Sequence, residues 1–115
     1  MWDVEVTDAF DAWWETLTEQ EQDDVTAYVE LLQERGANLP YPYCSGIQGS
    51  KFSHLRELRV QSGGKPIRIF YAFDPRRVAI LLIGGNKTGK EKRFYREYIK
   101  QAEDLYEEHL KNLGE

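Results

Sequence analysis

Three cations occupy positions from which they could act on one anion: Arg59, Arg68 and Lys87. Each belongs to, or directly follows, one of three short apolar runs between Leu55 and Lys87. The first run is Leu55-Arg56-Glu57-Leu58-Arg59-Val60. The second is Pro66 to Phe73 and the third Val78 to Ile83. Gln61-Ser62-Gly63-Gly64-Lys65 and Asp74-Pro75-Arg76-Arg77 break the runs with turn-forming residues, so the stretch reads as an antiparallel meander. Side chains alternate across a strand. Leu58 and Val60 therefore share one face of the first strand, with Glu57 and Arg59 on the other. On the second, Ile67, Ile69, Tyr71 and Phe73 oppose Arg68, Phe70 and Ala72. One sheet face packs on helices, and the other is expected to hold Arg59, Arg68 and Lys87 around a concave floor. Guanidinium forks suit phosphate oxygens and lysine supplies a point charge. The alternative is that Arg59 and Arg68 are solvated outer-face residues of a two-faced sheet; three cations on adjacent strands favour the anion site.

Other chemistries find little support. Gly84-Gly85-Asn86-Lys87-Thr88-Gly89-Lys90 lacks the spacing of a nucleotide-binding P-loop, and His54 and His109 do not form a zinc motif. No cofactor or metal is expected. Cys44 is the only cysteine, so no internal disulfide can form, which fits a reducing cytosol. Nothing around it suggests a depressed thiol pKa. Tyr41 and Tyr43, in a loop between Asn38 and Ser50 that carries Pro40, Pro42, Gly46 and Gly49, could stack or serve redox chemistry. The reading preferred is that they pin the loop to the body of the domain.

At 115 residues with 41% apolar content, the chain is read as one domain, 1–115, with a single core. It shows no signal peptide, and its apolar runs fall far short of the ~20 residues a membrane span needs; a cytoplasmic protein is the expectation. The net charge of −5 hides a steep asymmetry. Residues 1–50 carry one Arg against eleven acids, residues 51–100 thirteen Lys or Arg against four acids, and residues 101–115 one Lys against five acids. This split is either the footprint of an anion-holding groove or two halves that neutralise each other.

Elements on both sides must position the meander. Trp2 to Val6 alternates like a strand. Thr7 or Asp8 caps a helix over Asp8–Leu17, and Thr18-Glu19-Gln20-Glu21 is a capping box that starts a second helix running to about Arg35, with Gly36 as its stop. Glu91–Leu113 forms a closing helix whose inner stripe is Tyr95, Tyr98, Ile99, Ala102, Leu105, Tyr106, Leu110 and Leu113. Its first turns are basic (Lys92, Arg93, Arg96) and its last acidic, the reverse of what the helix dipole prefers. Those cations are therefore read as serving something other than the helix.

The Leu55–Arg59 strand, Ile67-Arg68-Ile69-Phe70-Tyr71, Ile83–Lys87 and Tyr95–Ile99 together resemble the RelE/ParE superfamily of toxins from bacterial toxin–antitoxin pairs, and within it the HigB-like, phage-derived group. The likeness covers nearly the whole chain. It implies an α+β domain of order β-α-α-β-β-β-α, with a small, mostly antiparallel sheet packed by an N-terminal helical hairpin and a C-terminal helix. It also implies a metal-independent endoribonuclease that cuts messenger RNA on the ribosome and is held in check by a cognate antitoxin, a small helix-turn-helix protein. By position, Arg68 matches the arginine that contacts the scissile phosphate, and Lys87 a basic residue after the last strand. Tyr95 matches the tyrosine near the start of the closing helix, and Arg59 a basic position ending the first meander strand. Leu55 and Glu57 stand where some ribosome-dependent members carry lysines, which leaves the general base open; His54 is the substitute considered. Tyr95 or His54 would handle protons, Tyr95 with its pKa lowered by the surrounding cations. Arg56, Arg59, Lys65, Lys90, Lys92 and Arg93 are the expected phosphate contacts. Two other readings of the same fold are a ParE-like gyrase inhibitor without nuclease chemistry and a non-catalytic domain that docks a partner.

Overall fold

A computed structural model describes residues 1–114. The elements follow in the order β1 (Val4–Val6), α1 (Asp8–Trp14), α2 (Glu19–Arg35), a 3-10 turn (Gly36–Asn38), β2 (Cys44–Gly46), β3 (Arg56–Ser62), β4 (Lys65–Phe73), β5 (Ala79–Asn86) and α3 (Glu91–Gly114). They build an α+β domain around one five-stranded sheet of order β1-β5-β4-β3-β2. The meander β3-β4-β5 is antiparallel, as its alternation predicts, and β1 adds in parallel to β5.

Local chemistry fixes the helix ends. Thr7 caps α1 by accepting from the Phe10 amide, and its hydroxyl donates to Leu82 O at 2.6 Å, tying the helix start to the sheet. The helix ends at Trp14 rather than the expected Leu17. Thr16 and Leu17 instead make tight bonds back to Trp13 O and Trp14 O, turning the chain toward the next cap. The capping box forms as read, with Thr18 and Glu21 bonding reciprocally. Gly36 stops α2 at φ +53°, and a Cβ there would lie 2.0 Å from the Trp2 indole. Only glycine meets both demands.

Two larger features also depart from expectation. The loop 38–50 contains a short strand, β2, paired with β3 through Cys44↔Leu58 and Gly46↔Arg56. Three residues are too few to show a strand period, so only the pairing defines it. The second departure concerns the sheet's faces: both are covered. The helical hairpin packs Phe10, Val25 and Leu32 on Leu58, Val60, Ile67, Ile69, Tyr71 and Leu81. On the other face α3 packs Phe94, Ala102 and Tyr106 on Leu55, Phe70, Ala72, Ile80 and Leu82. The concave basic floor is therefore not open. Phe94, absent from the expected stripe, is buried, while Leu113 is exposed. A bulge between Phe70 and Tyr71 shifts the register against β5, so Gly85 pairs with Arg68. A Cβ on Gly85 would meet Tyr98 Cζ at 2.6 Å and Phe94 Cε1 at 2.9 Å. Its missing side chain lets α3 close over the sheet beside Arg68.

Candidate active site

The face shared by Glu57, Arg59 and Arg68 is closed over β4 and β5 by α3 but open toward β2. Strand pairing sets Arg59 opposite Arg68 and Glu57 opposite Phe70. The side chains of these residues converge on the Glu57 carboxylate. Tyr95 donates its hydroxyl to Glu57 Oε1 at 2.7 Å, and Ser45 donates to Oε2 at 2.9 Å. Arg59 Nη1 lies 3.6 Å from Oε2, and Arg68 Nε 3.8 Å from Oε1. A cleft of about 510 Å³ opens beside this carboxylate, lined by Gly46, Ile47, Gln48, Glu57, Lys92, Tyr95 and Arg96 among others.

Arg68 is the unusual member. It is only 4% exposed, and its Nη1 donates to Ile67 O at 3.2 Å. Its Nε is buried without any hydrogen-bond partner, because 3.8 Å to Glu57 is an ionic contact but too long for a hydrogen bond. A buried guanidinium donor with an unmet bond carries a desolvation cost of about 1–3 kcal/mol. An acceptor arriving at this position would recover it.

Tyr95 behaves opposite to expectation. Burial pushes its pKa up to about 12, the hydrogen bond and charge of Glu57 add to the rise, and Arg68 only partly opposes them. The phenol is thus a held proton donor near neutral pH, and the idea that the basic cluster prepares it as a base is corrected. Lys87 reaches the cluster through Tyr95, with its ammonium 5.5 Å from the ring centroid while it pairs with Glu91 at 3.2 Å.

The structure brings together Arg59, Arg68, Lys87 and Tyr95, and sets Lys92 at the cleft. It separates the others. His54 Nε2 bonds the Tyr106 hydroxyl at 3.1 Å; since Tyr106 donates its own proton to Phe73 O, His54 is the donor. Tyr106 lies three helical turns beyond Tyr95, about 16 Å along α3 at 1.5 Å per residue, so His54 is remote from Arg68. Arg56 faces the hairpin side, where its Nη2 contacts Cys44 Sγ at 3.4 Å. Lys65 pairs with Glu21 of α2 at 2.7 Å. In that pair, as in Arg76 with Glu5 at 2.9 Å, the acidic and basic halves do neutralise each other locally. Lys90 and Arg93 are exposed at the start of α3, outside the cleft lining. Cys44 is buried and its thiol donates to Leu39 O at 3.1 Å.

Sequence reasoning missed Glu57, Ser45 and Arg96 as members of the site. For Glu57 a signal existed: it is the one acid beside two arginines, Arg59 and Arg68, on the shared face of β3 and β4. Arg96 gave only the general signal of a basic first turn on α3, and Ser45 gave none, because its place depends on β2 pairing. Among the described residues no three His, Cys, Asp or Glu side chains gather so as to hold a metal ion, and no helix is long and apolar enough to cross a membrane.

The chain is similar to known proteins along most of its length. Residues 12–107 match the model of the family described as "Phage derived protein Gp49-like (DUF891)". The chain is 38% identical over 110 residues to a Mycobacterium tuberculosis protein named "Putative toxin HigB2", covering 95% of this chain and 54% of that protein. It is 39% identical over 98 residues to a second protein of that organism, "Putative toxin HigB3", covering 85% of this chain and 84% of the other. The chain thus spans about half the length of the first relative and most of the second. The resemblance to the HigB-like group drawn from the Leu55–Arg59, Ile67–Tyr71 and Tyr95–Ile99 motifs is met by both names. With the match extending through hairpin, meander and closing helix, the chain belongs to the phage-derived Gp49-like family.

Proposed function

We propose that this protein is the toxin of a toxin–antitoxin pair, and that it acts as a metal-independent endoribonuclease on messenger RNA, with the ribosome as its place of action. The observation that carries the reading is the buried, unpartnered Nε of Arg68, held 3.8 Å from Glu57, which with Tyr95 lines an open cleft. The names of the two relatives support the toxin role, and a cognate antitoxin is its implied partner.

RNA cleavage by transesterification needs a proton taken from the 2′-hydroxyl, charge stabilised on the phosphorane, and a proton delivered to the departing 5′-oxygen. Arg68 supplies the charge stabilisation, with Arg59 and Lys87 adding to the field; such preorganised donors are worth most where water is excluded. Tyr95, with its raised pKa, is the proton donor. Glu57 already accepts from two hydroxyls and lines the cleft, which makes it the acceptor best placed for the 2′-hydroxyl proton. In the free protein this carboxylate occupies the cations that a phosphate would use, so substrate must compete with it for Arg68 and Arg59.

The test is expression without a partner, followed by primer extension on cellular messenger RNA, beside Arg68→Ala. Cuts that disappear in the substituted chain support the nuclease. Growth arrest with intact messenger RNA would move the reading to a gyrase inhibitor, and no growth effect would leave a docking domain.

A further inference from the structure

The two loop tyrosines have different fates. Tyr43 packs against Tyr28, with ring centroids 6.4 Å apart, and so does pin the loop as expected. Tyr41 does not. It is 69% exposed, and among the described residues the side chain stacked on it is Arg59, whose guanidinium carbon lies 5.2 Å from the ring centroid. An aromatic left this exposed loses most of the burial that would stabilise it in the fold.

The turn that carries Tyr41 is nevertheless tightly fixed. Leu39 and Cys44 are buried on either side of it. Cys44 Sγ bonds Leu39 O, the Tyr43 amide bonds Pro40 O at 3.1 Å, and the Arg59 amide bonds Tyr43 O at 2.8 Å. The ring is thus presented outward from a rigid base. Arg59 links it to the site, since the same guanidinium stacks on Tyr41 and reaches Glu57 at 3.6 Å, next to Arg68. Arginine planes and aromatic faces are the surfaces on which unpaired nucleobases stack, and such stacking tolerates any base because every base has a π-face.

We propose that Tyr41 and Arg59 form a nucleobase-stacking platform that receives a base of single-stranded RNA flanking the phosphate held at Arg68. Accepting the RNA-cleaving reading as its premise, the proposal adds how the strand is gripped beyond the scissile phosphate. Phosphate contacts alone hold the backbone without ordering the bases. A stacked base beside the site would fix where the strand lies relative to Arg68 and Tyr95.

The experiment measures equilibrium binding of a short single-stranded 2′-O-methyl RNA, which cannot be cut for want of a free 2′-hydroxyl, to the full chain and to Tyr41→Ala and Tyr41→Trp. A matched strand with abasic positions serves as the second probe. The platform predicts binding weakened about 5- to 100-fold by Tyr41→Ala and kept by Tyr41→Trp. The alanine effect should vanish on the abasic strand, and the dependence on salt should stay the same, because no phosphate contact is removed. Affinity within about twofold of wild type for Tyr41→Ala on the ordinary strand overturns the platform, and leaves Tyr41 as a contact for a partner protein. If Arg68-dependent cuts persist in cells at that point, the nuclease reading stands without the platform. A wild-type chain that neither binds the strand nor cuts messenger RNA overturns both.

Discussion

Two carboxylates lie buried on this sheet, and their surroundings are opposites. Asp74, at the turn between β4 and β5, is fully satisfied. It accepts from Arg76 Nε and Nη2 at 2.9 and 2.7 Å, from His109 Nε2 at 2.9 Å, and from the amides of Arg76 and Val78. Burial alone would raise its pKa, but the bonds from His109 and Arg76 and the two amides more than offset this and hold it below the ordinary carboxylate range. Glu57 meets its two hydroxyl donors at good distance, while its cations stand at 3.6 and 3.8 Å with one guanidinium donor orphaned. A complete network rigidifies a turn; an incomplete one keeps bonding capacity in reserve. The contrast separates a carboxylate that holds the fold from one that the proposed nuclease would use.

The sharpest way to break that comparison is Arg68→Ala. If Arg68 stabilises charge as proposed, its removal lowers cleavage about 10²- to 10³-fold, read per folded molecule because the substitution also takes a buried cation from beside Glu57. Near-normal cleavage would remove Arg68 from the site.

Asp74→Ala should do the reverse. The Arg76 and His109 donors lose their acceptor, and a loss of about 3 kcal/mol in urea unfolding is expected, with cleavage per folded molecule unchanged. The lowered folded-state pKa also predicts an acid limb. Asp74 contributes stability above its unfolded pKa of about 4 and loses it as pH falls through the folded value. Asp74→Asn should flatten unfolding midpoints measured below about pH 4; an unchanged acid limb counts against the network.

Tyr95→Phe sharpens the comparison from the alkaline side. With the folded pKa at about 12 against about 10 unfolded, the neutral phenol stabilises the fold fully below pH ~10 and the contribution is lost as pH rises toward 12. Phenylalanine should erase that alkaline loss and lower cleavage about tenfold or more through the missing proton donor. Absorbance titration of wild type against Tyr95→Phe checks the first part, and a missing phenol that had titrated near the ordinary value of about 10 would refute it.

His54→Ala is expected to have the smallest effect. Because His54 bonds Tyr106 far from Arg68, cleavage should stay within about threefold, with about 1 kcal/mol of stability lost with the hydrogen bond. A collapse of cleavage in a chain that still melts normally would return His54 to the list of candidate bases.

Much of the fold was legible in the sequence because its signals are local. Thr18 with Glu21 set the start of α2, Gly36 its end, and the alternation in Arg56–Ser62 and Lys65–Phe73 assigned each side chain to a face. Charge type was legible as well, so Arg59, Arg68 and Lys87 could be named as one group. What the sequence could not carry was how near these groups come and what lies between them. Strand pairing placed Ser45 beside Glu57, the bulge at Phe70/Tyr71 set Gly85 against Arg68, and packing of α3 buried Arg68 and aimed Tyr95 at Glu57. Whether the cluster lowers or raises the pKa of Tyr95 depends on burial and on the nearest charge, and both follow from that packing. Residue types and their periods are properties of the chain; distance and dielectric surroundings exist only once distant segments meet.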